Sequence, residues 1–272
     1  MRLTKITALI AAAILGGAVH AAPPSRVVSI NLCTDQLALM VAAPGQLISV
    51  SRLSHDPASS PMSAAARSVP ANGSGAEEVY LLRPDLVLAS SFTAPATLRM
   101  LRNLGIPVEV FAPANSLSDI AARITQMGKA LEQPDTALER VADFRAALDA
   151  LHTPVAHRPR AALYYVNSYT TGDNTLAGDI LKAAGFDNVA TEAGIGHGAT
   201  LPLERLVMLA PDVVIRGRDY PGQSRAEDAF SHPALAGLTV KNALDVRDWT
   251  CGTPHVLDAI RALRDLREEL AQ

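Results

Sequence analysis

The chain has 272 residues and a net charge of −3, with 49% apolar, 19% charged and 4% aromatic side chains. That balance excludes a disordered or low-complexity chain and leaves enough apolar mass for one large or two modest domains. There is no basic block, which argues against a nucleic-acid binder and against a polybasic or amphipathic membrane-surface protein.

At the N-terminus, Arg2 and Lys5 precede an apolar run over residues 6–19 that is short for a membrane span and poor in Leu and Phe. Val19-His20-Ala21 then sets small residues at the −3 and −1 positions of a cleavage site. Residues 1–21 read as a secretory signal peptide cut after Ala21, with an uncleaved anchor as the alternative. No Cys stands directly after the run, which argues against a lipoprotein anchor. The expected location is beyond the cytoplasmic membrane.

From residue 26 strands and helices alternate. Residues 26–30 form a β-branched run, and 34–43 a helical stretch capped by Thr34 and closed near Pro44-Gly45. Residues 47–51 are the next strand, and the Pro- and Ser-rich stretch 54–74 reads as a long surface loop. Residues 77–82 are helical, Pro84-Asp85 leads into a strand at 86–89, and 95–104 is a helix before a strand at 108–111. Short apolar strands separated by helices imply parallel βαβ units. Residues 116–151 differ: two helical patterns, broken at Pro134-Asp135, have no strand between them. The alternation then resumes with a strand at 161–166, helices at 176–184 and 203–209, a strand at 213–216 and a C-terminal amphipathic helix at 256–270.

An internal echo links the two α/β parts. Glu77, Leu82, Pro84 and Asp85 recur 127 positions later as Glu204, Leu209, Pro211 and Asp212. Helix–Pro-Asp–strand is a common junction, because Pro limits helix continuation. The glutamate at matching offset is what raises the echo above that common pattern.

Cys33 and Cys251 are the only cysteines. In an exported chain such a pair reads as a disulfide tying the start of the fold to its end. The competing reading is two separate thiols, one of them a soft metal ligand.

In the segments RVVSINLCTDQLALMVAAPGQLISVS, AEEVYLLRPDLVLAS, LPLERLVMLAPDVVI and HPALAGLTVKNALDVRDW, taken in order, the mature chain resembles the periplasmic substrate-binding proteins of ABC importers for vitamin B12 and iron complexes. The resemblance implies an α/β fold of two lobes with parallel sheets, joined by a rigid helical connector, with the ligand in the cleft between them. The expected division is an N-terminal lobe at 22–115, a connector at 116–152 and a C-terminal lobe at 153–272. It further implies a monomer that captures cobalamin or a related metal complex and delivers it to an inner-membrane ABC permease and its ATPase. A ferric siderophore or haem is the alternative cargo. The vitamin B12-binding branch is the nearer one.

The family's cleft lies at the C-terminal ends of strands, where open α/β sheets bind ligands in general. In this sequence that rule selects Asn31, Cys33, Thr34, Asp35, Arg52, His55, Ser91 and Phe92 in the first lobe. In the second it selects Tyr169, His197, Trp249 and His255. Phe92, Tyr169, Tyr220 and Trp249 are candidates for flat faces against a planar macrocycle, and one of Tyr164 and Tyr165 is expected in the core. The three histidines lie far apart in sequence without an HxxxH or HExxH pair, so no resident metal or cofactor is expected. The Gly-rich stretch at 194–198 lacks a dinucleotide fingerprint's setting, and there is no Walker sequence or nucleophile elbow. An exported α/β enzyme is therefore the weaker alternative. The resemblance also implies that Glu77 and Glu204, one per lobe, meet an arginine pocket on each of two permease subunits; plain helix-start glutamates are the competing reading.

Overall fold

A computed structural model describes residues 22–217, 226 and 230–272. The expected signal peptide at 1–21 and Tyr220 lie outside these residues. The first sheet contains β1 (Val27–Ser29), β2 (Leu47–Ser51), β3 (Ala71–Asn72), β4 (Leu86–Ser90) and β5 (Val108–Phe111). All its pairings are parallel, in the order β3-β2-β1-β4-β5. Its helices are α1 (Leu32–Val41), α2 (Ser63–Ala66), α3 (Ala76–Leu81) and α4 (Pro95–Asn103). The expected loop at 54–74 is thus not featureless. A 3-10 turn, Arg52–His55, and α2 lead into the edge strand β3.

Two helices follow without a strand, α5 (Leu117–Ala130) and α6 (Pro134–Ala150). Ser116 and Asp119 form a reciprocal cap at the start of α5, and Pro134 opens α6 where its missing N–H costs nothing. The second sheet has β6 (Arg160–Leu163), β8 (Asp187–Asn188), β10 (Val213–Gly217) and β11 (Val240–Leu244), parallel in the order β11-β10-β6-β8. β7 (Tyr169–Thr171) and β9 (Gly198–Thr200) pair antiparallel beside it. The remaining helices are α7 (Leu176–Ala183), α8 (Val189–Glu192), α9 (Leu203–Leu209), α10 (Val246–Thr250) and α11 (Val256–Leu270).

Side-chain alternation along each strand divides the core. Val27 and Leu88 of one sheet, and Ala161, Leu163, Val213 and Ile215 of the other, share a single apolar cluster with Ile120, Ile124, Val141, Phe144 and Ile260 from α5, α6 and α11. The odd-even partners point the opposite way. Val28, Val87 and Ala89 pack under α3 and α4, while Ala162, Tyr164 and Val214 pack under α8 and α9. The two sheets are therefore joined through a continuous core rather than a loose linker, and Leu117 N–H donates to Asp179 of α7 at 2.8 Å across that joint.

The echo has a physical basis. Arg26, just before β1, donates to the carbonyls of Leu82 and Arg83 that end α3, and Arg160 of β6 donates to the carbonyls of Leu209 and Ala210 that end α9. Arg83 and Ala210 both take left-handed conformations, with φ of 49° and 44°, which end each helix before the Pro-Asp pair.

Candidate functional site

The order of the first sheet reverses direction at β1, since β2 and β4 lie on opposite sides of it. Open α/β sheets bind ligands in the crevice above such a switch point. The loops there are Asn31–Thr34 after β1 and 90–93 after β4. α1 begins at Leu32, earlier than the sequence pattern placed it. Its cap is Asn31, whose side chain accepts from Cys33 N–H at 3.0 Å, and not Thr34. Thr34 is buried: its hydroxyl lies 2.8 Å from that of Ser29 and donates to the Asn31 carbonyl at 2.9 Å.

Asp35 is also buried rather than turned to the cleft. Its Oδ2 accepts from Ser51 N–H at 3.1 Å, the Ser51 hydroxyl and the Ser54 hydroxyl at 2.6 Å. Burial pushes its pKa above the usual carboxylate value, opposed by hydrogen bonds from Ser29, Ser51 and Ser54. Asp35 thus pins the end of β2 and the following turn to α1. It thereby fixes the turn that carries Arg52 and His55. Arg52 is exposed, whereas His55 is half-buried with Nε2 2.9 Å from the Val69 carbonyl. Ser90 Oγ accepts from Phe92 N–H at 3.1 Å, a turn that leaves Ser91 exposed and Phe92 79% exposed at the mouth of the crevice.

In the second half, Asn167 and Ser168 both adopt left-handed conformations with φ of 57°, closing a tight turn in which Tyr165 N–H donates to the Tyr169 carbonyl at 2.8 Å. Tyr169 emerges 44% exposed. A Cβ on Gly198 would fall 1.6 Å from its hydroxyl, so the Gly-rich stretch makes room for this ring. Tyr164 is in the core, its hydroxyl donating to the Leu201 carbonyl at 3.1 Å. Tyr165 bridges Tyr169 and Trp249, each ring pair with centroids 6.2 Å apart, and burial raises its pKa to about 12. Trp249 is only 7% exposed and belongs to the shared core, so the expectation that it presents a face to a planar ligand is corrected. The exposed ring in this stack is Tyr169.

His197 is exposed beside β9, and its carbonyl accepts from Gly172 N–H at 2.9 Å. His255 lies elsewhere, in a groove with Met40 of α1 and Arg140 of α6, on the opposite end of α1 from Cys33. Burial lowers its pKa, with Asp258 opposing. Among the described residues no group of three or more His, Cys, Asp or Glu is arranged to hold a metal ion.

Cys33 and Cys251 are disulfide-bonded, with Cα atoms 5.0 Å apart. The segment carrying Cys251 crosses onto the first half, where Arg247 donates to the Pro57 carbonyl at 2.7 Å and Thr253 approaches Gln36 at 3.4 Å. Beside the bond is a cavity of about 90 Å³ walled by Asn31, Ser90, Phe92 and Phe111 from the first half and by Thr250 and Gly252 from the second. Its wall also includes Arg123 of α5, which the sequence pattern did not single out. Nothing local marks this arginine; it stands on an amphipathic helix like any surface residue until the fold sets α5 against the strand ends.

Two α/β halves on a shared core, with a crevice at their strand ends, define a two-lobed binding-protein fold. The sequence profile described as "Periplasmic binding protein" matches residues 27–243, and the chain belongs to that family. A cobalamin-binding protein of Halobacterium salinarum (strain ATCC 700922) is 29% identical over 200 residues, covering 71% of this chain. The chain spans about half of that relative's length, 54%. A vitamin B12-binding protein of Vibrio vulnificus (strain YJ016) is 26% identical over 201 residues, covering 72% of each chain. Among solved structures, a periplasmic heme-binding protein from Roseiflexus sp. RS-1 in apo form superposes with a TM-score of 0.72 at 22% identity, covering 91% of this chain and 99% of that one. The periplasmic vitamin B12 binding protein of Vibrio cholerae gives 0.67 at 19%, covering 92% and 99%. At these identities the structural likeness shows the fold alone.

Proposed function

We propose that this chain is the periplasmic solute-binding component of an ABC importer, which captures cobalamin or a related corrinoid and hands it to an inner-membrane permease coupled to its ATPase. The observation that carries the reading is a pair of exposed aromatic rings, Phe92 and Tyr169, each in a loop after a strand and one in each half, in a chain whose curated relatives are cobalamin- and vitamin B12-binding proteins. An apolar ring from each half suits a flat macrocycle, with Asn31, Arg52, Ser91 and His197 available to its polar rim. Haem is the second reading, since a heme-binding protein shares this fold. Under this proposal residues 1–21 are removed on export, the lobes span 22–115 and 153–272, the connector is 116–152, and the protein works as a monomer without enzymatic turnover. Among the described residues no helix is long and apolar enough to cross a membrane.

Delivery is assigned to Glu77 and Glu204. Each is the second residue of its helix, α3 or α9, and each is exposed. Glu78, next in sequence to Glu77, is instead engaged locally, its carboxylate accepting from Gly73 N–H at 2.7 Å. Four residues beyond each glutamate, at equivalent positions of the echo, stand Leu81 at 77% and Met208 at 84% exposure. One charge and one apolar side chain on the same helix face, repeated in both halves, fit a partner with two equivalent subunits.

The reading is tested by passing purified mature protein with cyanocobalamin, haemin or a ferric siderophore through a sizing column. Co-elution of the corrinoid spectrum supports it. Co-elution of haemin alone would transfer the assignment to haem.

A further inference from the structure

The cavity beside the disulfide contains one charged side chain among the described residues of its wall, Arg123, and no acid. That guanidinium is unusual in its bonding. Nη1 donates to Gln126 Oε1 at 2.7 Å, and Gln126 in turn donates to Glu109 Oε1 at 2.7 Å, so the nearby acid is already occupied through the glutamine. Nε is buried and has no hydrogen-bond partner. An unpartnered buried donor on a permanent cation is costly, and the cost is recovered when an anion arrives. The rest of the wall suits the same guest. Asn31 and Ser90 bring polar side chains, the first turn of the ten-residue α1 adds its positive end, and the buried ring of Phe111 keeps water from one side. The position is the switch point between β1 and β4, where open α/β sheets bind ligands.

We infer that Arg123 and this cavity form a subsite for an oxyanion carried by the cargo, a phosphodiester or a carboxylate on an arm of the macrocycle. Arginine's planar fork suits either group, and a volume of about 90 Å³ admits the charged group while leaving the ring outside against Phe92. The inference rests on the binding-protein reading above, but not on which complex is the cargo.

Two ligand pairs distinguish the source of the oxyanion, and comparison of each pair across the Arg123 variants separates the oxyanion from the rest of the nucleotide loop that cobinamide also lacks. Cyanocobalamin carries a phosphodiester that dicyanocobinamide lacks, and haemin carries carboxylates that its dimethyl ester lacks. Affinities are measured for wild type, Arg123→Met and Arg123→Lys, with melting temperatures as the check that each variant folds. In wild type the charged member of the bound pair is expected to bind more tightly than its neutral counterpart. Arg123→Met should lower affinity for the charged member about 10- to 100-fold, the scale of a lost charge-assisted hydrogen bond, and leave the neutral member unchanged. Arg123→Lys should fall between the two. Corrinoid binding that ignores Arg123 would overturn the inference and leave the cobalamin reading standing. Discrimination confined to the haemin pair would uphold the inference and remove cobalamin. Equal losses for both members of a pair would assign Arg123 to structure alone, and binding of neither pair would contradict both statements.

Discussion

Asp85 and Asp212 hold the same place in the two halves, and each binds the backbone amide of the arginine that leads its sheet's first strand. Asp85 accepts from Arg26 N–H at 2.9 Å and Asp212 from Arg160 N–H at 2.7 Å. With the arginine side chains closing back on the preceding helix ends, each half contains a clamp that fixes α3 or α9 against its sheet. Those are the two helices that present Glu77 and Glu204. The echo in the sequence therefore marks this clamp as well as the helix–Pro-Asp–strand junction.

Asp85→Ala and Asp212→Ala should each cost about 1–2 kcal/mol in urea unfolding, the scale of the bonds lost. Burial works against ionisation of Asp85, but the amides of Ser25 and Arg26 and the Ser25 hydroxyl hold its carboxyl below the usual value. Its contribution is therefore present above pH 3.8 and lost as pH falls through the lower folded value. An Asp85→Ala protein that matches wild type at neutral pH would contradict the clamp.

Reversing both glutamates, Glu77→Arg with Glu204→Arg, should leave ligand affinity in solution unchanged and abolish uptake in reconstituted vesicles. Exposed ion pairs contribute only about 0.2–1 kcal/mol, but cutting one desolvated in an interface costs about 2–5. Leu81→Asp with Met208→Asp should weaken delivery likewise. Normal uptake by both double variants would leave Glu77 and Glu204 as ordinary helix-start residues.

Trp249→Ala should lower stability by about 3–5 kcal/mol, because a core indole and its packing on Tyr165 are lost. Tyr169→Ala should do the opposite, sparing stability and weakening ligand binding by about 1–3 kcal/mol. Paired unfolding and binding measurements check both, and a stable, binding-deficient Trp249→Ala would restore that residue to the cleft.

Much of the architecture is legible along the chain. Short apolar runs such as 47–51 and 86–90 end at turn or Pro-Asp signals, so alternation places β1, β2, β4, β5 and β10 within a residue or two. β3, β7, β8 and β9 are two or three residues long and largely polar, and only their partners make them strands. The site is less legible for a related reason. α1 is buried on most of its circumference, including Thr34, Asp35 and Gln36, so its polar residues do not mark an exposed face. Trp249 is buried because α10 returns across the shared core, a relationship that no local spacing encodes.

Asp248 gives the fold a distinct pH signature. Burial first, then the charges of Asp245 and Asp258, raise its pKa from 3.8 to about 6, with Arg247 opposing. Between those values the folded state holds a proton that the unfolded state has released, so this group's contribution declines as pH rises from about 4 to about 6. Asp248→Asn should flatten that part of the melting-temperature profile and raise stability above pH 6. An unchanged profile would contradict the assignment.

The Cys33–Cys251 bond closes a loop of 218 positions, and the chain-entropy model assigns such a cross-link about 5 kcal/mol as an upper figure. Cys33→Ser with Cys251→Ser should lose about 2–5 kcal/mol. Alkylation of freshly isolated protein without reductant should modify neither cysteine. Two modified thiols would contradict the bond.

Whether the crevice between the halves captures a corrinoid, as proposed, is decided by calorimetric titration of the mature protein with cyanocobalamin. One site per chain with a dissociation constant of about a micromolar or tighter is expected, with weaker binding when Phe92 and Tyr169 are both replaced by Ala. Absence of heat and of any melting-temperature shift at about 100-fold higher cyanocobalamin would contradict it.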